Sequence, residues 1–137
     1  MAKEFNLSVV APDRSVVEEP VVSVVAPGSE GYFGVLAGHI PLIASLKPGL
    51  LEYQVPTGER HHIAVGGGFV EVTGERVTVL ANSAERATEI DVEQARTMLE
   101  EARRALRGED SPMTQQEATE QLAVAVTLLQ AAKASIN

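Results

Sequence analysis

Five glycines, at positions 28, 31, 34, 38 and 49, cut residues 28–51 into short apolar runs. Spacing of this kind suits strands that must bend and reverse, because glycine accepts backbone angles that other residues resist. Phe33, Val35 and Leu36 precede the first corner, and Ile40, Leu42, Ile43 and Leu46 follow it. Pro48-Gly49 is expected to turn the chain before Leu50 and Leu51 begin another strand. Such a pattern belongs to a sandwich or a barrel.

The flanking segments extend it. Phe5, Leu7 and Val9 alternate with Asn6 and Ser8, as a half-buried strand requires, and Pro12-Asp13 turns the chain. Val16-Val17 and Val21–Val25 read as two short pieces broken by Glu18-Glu19-Pro20, since proline cannot donate to a ladder and acids blunt an edge. Leu51–Val55 alternates again, Pro56–Glu59 forms a hairpin loop, and a strand returns through His61 to Val65. Gly66-Gly67-Gly68 interrupts it, Val70 and Val72 resume it, Thr73–Glu75 turns, and Arg76–Leu80 completes a meander. Short, evenly spaced strands up to residue 82 predict an all-β sandwich of about 80 residues.

The period then changes. Asp91 is placed as an N-cap with Gln94 three residues on, and Ala95, Met98, Leu99, Ala102 and Leu106 recur at helical spacing. A helix over Val92–Arg107 follows, with Glu100 able to pair with Arg104 and Gly108 ending it. Thr114 and Glu117 repeat the capping pattern before a second helix that reaches about Lys133. The short link makes the two helices antiparallel neighbours. The expected fold class is a β-sandwich N-terminal domain over 1–84 followed by a C-terminal antiparallel helical hairpin over 85–137, with 82–89 as the hinge. On the second helix Ala118, Leu122, Ala125, Val126, Leu129 and Ala132 form one stripe, while Val124, Leu128 and Ala131 lie off it. Apolar on more than one side, that helix must be covered by its own sandwich or by a partner as well as by its neighbour.

Chemistry is scarce. Without cysteine there is no thiol redox chemistry, and a net charge of −8 disfavours nucleic acid and anionic lipid, which need Lys and Arg gathered on one face. No segment approaches the ~20 apolar residues that span a bilayer, and no signal-peptide run opens the chain, so a soluble or peripheral protein is expected. His61 and His62 are neighbours on a strand and point to opposite faces, which does not suit one metal ion. His39 reads as a structural or interface residue. Gly66-Gly67-Gly68 opens a strand rather than a helix, so it is a bulge or a close backbone contact and not a phosphate cradle. No serine stands in a nucleophile elbow, and no catalytic or metal site is expected.

The string from Gly28 to Gly49, with Gly28-Ser29-Glu30-Gly31, Gly34-Val35, His39, Pro41-Leu42 and Lys47-Pro48-Gly49, resembles the epsilon subunit of the rotary ATP synthase of bacterial or plastid type. The likeness continues through Val9–Asp13, Gly67–Val72, Val77–Ala81 and Ile90-Asp91. It implies a non-catalytic rotor subunit of a proton-transporting synthase, peripheral at the cytoplasmic face of the plasma membrane or its thylakoid equivalent. The sandwich would dock on gamma and rest on the ring of c subunits. The hairpin would fold against the sandwich, or extend along gamma towards alpha and beta and inhibit ATP hydrolysis. By position the c-ring side comprises Gly28, Ser29, Glu30, Gly31, Tyr32, His39 and Pro41, with Tyr32 where relatives often carry an acid. The regulatory positions are Arg96, Arg103 and Arg104 on the first helix and Leu122, Val126 and Leu129 on the second.

Some relatives bind ATP in the hairpin through an (I/L)-D-x-x-R-A motif and arginines on the second helix. Here Ile90–Ala95 carries Gln94 where the arginine should be, and the second helix has no arginine. Triphosphate needs concentrated positive charge. No cofactor is therefore expected; Glu85, Ile90, Asp91 and Ala95 are the positions a nucleotide would use. The alternative is an ATP-sensing module, and a third is an unrelated enzyme with a sandwich cleft. With Lys133 the only cation on the second helix, inhibition should rest on apolar packing and depend weakly on salt.

Overall fold

Alternation sets the strands, and two bends decide how they stack. The computed structural model describes residues 3–136, and side chains through Ala134; Met1, Ala2 and Asn137, which the expected boundaries include, lie outside the described residues. The strands are β1 (Phe5–Ala11), β2 (Arg14–Val21), β3 (Ser23–Gly28), β4 (Gly31–Val35), β5 (Leu42–Gln54), β6 (Arg60–Val72), β7 (Arg76–Ala81) and β8 (Ala84–Arg86). A 3-10 turn (Ala87–Glu89) leads into α1 (Val92–Leu106) and α2 (Gln115–Ile136). The strands run in the order β2-β1-β7-β6-β5-β3-β4, with β8 also paired to β6 and β1 parallel to β7.

β5 and β6 are 13 residues each and pair along their whole length, from Leu42 with Val72 to Gln54 with Arg60. Each contributes one half to either layer of a sandwich. The Gly68–Val72 half of β6 lies between β7 and Leu42–Leu46 of β5, while Glu52–Gln54 of β5 pairs with β3 and Ile63–Val65 of β6 pairs with β8. Pro48-Gly49 is thus no turn between strands; it is the bend inside β5, opposite Gly66. Gly66–Gly68 likewise bends β6 without ending it. There β6 exchanges partners from β7 to β8: Asn82 N donates to Gly67 O (2.9 Å) and Gly66 N to Ser83 O (2.8 Å). The approach leaves no room for side chains, since a Cβ on Gly66 would overlap Ser83 Oγ and one on Gly68 would overlap Leu80 O. Gly67 and Gly68 also sit at φ +94° and +135°, angles that favour glycine.

Pro20 does not break its strand either. β2 is an edge, and Pro20 faces Asn6, whose N–H turns the other way to Glu75 O (3.0 Å). The proline nitrogen points outward, where no ladder bond is required. The break falls two residues later, at Val22, whose N–H is bound to Gln54 O (2.8 Å).

Between the layers lies a core of Leu7, Val9, Val17, Val24, Leu51, Tyr53, Ile63, Val65, Val70 and Val79, each at most 1% exposed. A second cluster joins the hairpin to the outside of the β3/β5/β6 layer: Ala64, Ala87, Ala95, Leu128 and Ala131, flanked by Leu50, Ile90, Met98 and Val124. The expected caps are present. Asp91 Oδ1 accepts from Gln94 N (3.1 Å), and Thr114 and Glu117 exchange two bonds of 2.9 and 3.1 Å. Gly108 N closes α1 on Ala105 O, and α2 runs one turn's length past Lys133 to Ile136. Ala118, Ala125 and Ala132 of the expected stripe are buried, and Gln121, beside it, donates Nε2 to Met98 O of α1 (2.9 Å). Of that stripe Val126 turns out exposed, and the sandwich instead buries the off-stripe Leu128 and Ala131. The passage 82–89 is itself paired through β8.

Candidate functional site

Three surfaces carry the side chains that are not spent on the cores. At one end of the sandwich β3 and β4 form a hairpin whose turn is Ser29-Glu30. The turn is fastened to β5: Ser29 N donates to Ser45 O (3.0 Å) and Ser45 Oγ to Ser29 Oγ (2.7 Å). Tyr32 Oη accepts from Leu50 N (3.0 Å), and Lys47 Nζ stands 5.5 Å from its ring centroid. That stacking places a cation over the aromatic face. Gly28–Tyr32 thus gather with Leu42–Ser45 around one groove. His39 and Pro41 do not line it; they lie on the loop before β5, where His39 Nδ1 is 2.7 Å from Ile40 O. Leu36 and Ile40 of the same loop are exposed.

The second surface escaped the sequence reading. Ile43, Phe69 and Leu80 are 72%, 60% and 57% exposed, on the outer side of the β5/β6/β7 layer. Phe69 faces Leu80 across one ladder and Ser45 across the other, and Ile43 faces Glu71 one row on. The signal was present in the alternation: Phe69 shares phase with Glu71, and Leu80 with Thr78, opposite the buried Val70 and Val79. Large apolar residues in the wet phase of a strand mark a contact surface. The adjoining edge is polar, with Glu18 held by Ser8 and by Arg76 (2.6 Å), bonds that lower its pKa.

The third is the seam between hairpin and sandwich, where a cavity of about 140 Å³ opens. Glu85, Ile90, Asp91 and Ala95 do come together there. Among the described residues the charged groups in its wall are Glu85 and Asp91, with no Lys, Arg or His, whereas a nucleotide phosphate calls for concentrated positive charge. Arg96 pairs with Glu93 (2.8 Å) and Arg104 with Glu100 (3.6 Å) on the solvent side of α1, where Arg103 is also exposed. Leu122 and Leu129 are half-buried. His62 bonds Glu52 (3.1 Å) while His61 stacks on Tyr53 (5.2 Å between centroids), so the two imidazoles do point apart. Burial, then the Glu19 carboxylate, raises the pKa of the Tyr53 hydroxyl.

Residues 4–87 match the family of the ATP synthase delta/epsilon chain, beta-sandwich domain. The chain belongs to the family of ATP synthase epsilon chains. It is 54% identical over 106 residues to the ATP synthase epsilon chain of Carboxydothermus hydrogenoformans, covering 77% of this chain and 78% of that one. It is 40% identical over 133 residues to that of Desulforamulus reducens, covering 97% and 100%. Among solved structures, a chain of the Euglena gracilis mitochondrial ATP synthase assembly of OSCP, F1 and c-ring matches with a TM-score of 0.74 at 28% identity, over 98% of this chain and 82% of that one. A chain of the Tetrahymena thermophila central stalk and c-ring shares the fold, with a TM-score of 0.60 at 13% identity, over 95% and 97%. The epsilon-family architecture of sandwich and helical hairpin is therefore continuous across the chain, and no helix among the described residues is long and apolar enough to cross a membrane.

Proposed function

We propose that this epsilon-family chain is a non-catalytic rotor subunit that couples the c ring to gamma, and that its helices regulate ATP hydrolysis. The observation that carries the reading is the Ile43–Phe69–Leu80 face. Three large exposed apolar side chains share this face of the sheet, on the opposite outer side of the sandwich from the hairpin. An interface there can stay closed while the hairpin moves, which is what separates torque transmission from regulation. Gamma is the proposed occupant of this face. The fastened turn Gly28–Tyr32, with His39 and Pro41 on the neighbouring loop, is the proposed c-ring side.

The hairpin lies against the sandwich through an alanine-rich seam. Small side chains bury little area each, so the seam is separable at modest cost. Extension would carry Leu122, Val126 and Leu129 towards alpha and beta. The proposed boundary between the rigid part, 1–84, and the regulatory part, 85–137, falls inside β8, just ahead of the 3-10 turn. The subunit would sit peripherally, at the membrane face that holds the c ring.

Co-purification with gamma tests this. The full chain should bind gamma, and truncation after Glu89, which keeps β8, should leave binding intact while changing only the ATPase rate of the assembly. A truncated chain that no longer binds gamma would refute the division of labour, as would an inhibition abolished by raising salt from low to high concentration.

A further inference from the structure

We propose that the surface of gamma that covers the Ile43–Phe69–Leu80 face carries a cationic side chain seated on Glu71, a proposal that rests on gamma being the occupant of that face. Glu71 is exposed on β6, in the same phase as Phe69. Across one ladder it faces Ile43 of β5, and across the other Thr78 of β7. Phe69 faces Leu80 one row away. The line from Ile43 to Leu80 therefore runs between Phe69 and Glu71, and a surface that touches both ends covers the carboxylate.

The free chain does not neutralise this group. Among the described residues no hydrogen bond or ion pair holds Glu71. Arg76 lies on the same outer phase of β7, two residues before Thr78, but its Nη2 is turned to Glu18 Oε1 at 2.6 Å. Closing an apolar surface over an ionised carboxylate strips its water and offers no hydrogen bond in return. A cation brought by the partner does return one, and the pair attracts more strongly there than in water because the covered site is less polar. The same carboxylate repels an acidic patch, so it selects among partners as well as holding one. The surface that fits this face is thus apolar around a single positive charge, which meets Glu71 where β6 lies between Ile43 and Thr78.

The full chain and its variants are titrated onto the gamma-containing catalytic assembly stripped of this subunit. Glu71→Gln keeps the shape of the side chain and removes its charge. It should leave the melting temperature of the free chain unchanged and weaken binding about tenfold or more, because the partner's cation is left covered and unpaired. Glu71→Lys should weaken it further, by setting like charges together. Unaltered binding of the Gln variant overturns the proposal, and so does a Lys variant that binds as tightly as the Gln variant. A Glu71→Gln effect that disappears in an Arg76→Gln background overturns it too, by making the cation this chain's own. Phe69→Ala separates the two levels. If it weakens binding while Glu71→Gln does not, the docking face stands and the cation falls; if it leaves binding unchanged, the docking face falls and the cation with it.

Discussion

Replacing Gly68 by alanine tests whether the bend in β6, and with it the two-layer fold, depends on the absence of a side chain. The position has φ +135°, and an added Cβ would run into the Leu80 carbonyl and come within 2.9 Å of Ala81 Cα. Neither neighbour can swing aside, because both are backbone in the β6/β7 ladder, where Gly68 pairs with Ala81. A residue held in so sparse a region costs about 1–3 kcal/mol, and forcing a packed ladder apart costs about 1–3 more. The lower entropy of the unfolded alanine chain offsets about 0.5 kcal/mol. The net expectation is a loss of about 1.5–5.5 kcal/mol, or roughly 5–20 °C in melting temperature for a chain of this length. Gly74→Ala is the internal control, since nothing lies within 4 Å of its added Cβ and its φ is not positive. It should change stability by less than about 0.5 kcal/mol. Urea melts followed by far-ultraviolet circular dichroism give both values. If Gly68→Ala unfolds within experimental error of Gly74→Ala, the bend does not depend on glycine and the reasoning fails.

Phe69→Glu should leave the melting temperature nearly unchanged, because the side chain is 60% exposed. It should weaken gamma binding about 30-fold or more, as loss of a central aromatic anchor does; unaltered binding in a pull-down would move the docking face elsewhere. Leu128→Ala should cost about 2–3 kcal/mol, mostly in hairpin docking, seen as faster amide exchange at Ala64 with β7 still protected. The Glu117 carboxylate has its pKa lowered, chiefly by the Thr114 backbone N–H. A lowered folded pKa contributes stability that is complete above the unfolded value and is lost as pH falls through the folded one. Helix signal should therefore fade at the start of α2 below about pH 4.5, and Glu117→Ala should flatten that acid limb, measured by amide shifts of Ala118 and Thr119. For Tyr53 the pKa is raised, so the phenol stays protonated in the folded state after the unfolded chain has ionised. Stability should fall as pH rises beyond about 10, and Tyr53→Phe should remove that part of the slope in alkaline melts.

What was legible in the chain was whatever is decided within a few residues. The Thr114/Glu117 cap, the Glu100–Arg104 pair and the alternation of Phe5–Val9 depend on neighbours three or four positions away, and each is present as read. The glycine and proline signals were local too, but their meaning was not. Pro48-Gly49 has the composition of a turn; it bends because Gly66 lies across from it and the strand is paired on both sides of the corner. Pro20 has the composition of a break; it continues because β2 happens to be an edge. In both cases the answer depends on which strand lies alongside: Pro48 faces Gly66, and Pro20 faces Asn6, each more than ten positions away. The Ile43–Phe69–Leu80 surface is the same problem in reverse. Each residue alone is one apolar side chain in a polar phase, unremarked in its own strand, and only the registers of three strands gather them. A strand reader who asks which large apolar residues fall out of phase, before asking which fall in, would find this surface first. That out-of-phase test applies equally to α2, where Leu128 and Ala131 lie off the stripe facing α1 because a second surface, the sandwich, claims them.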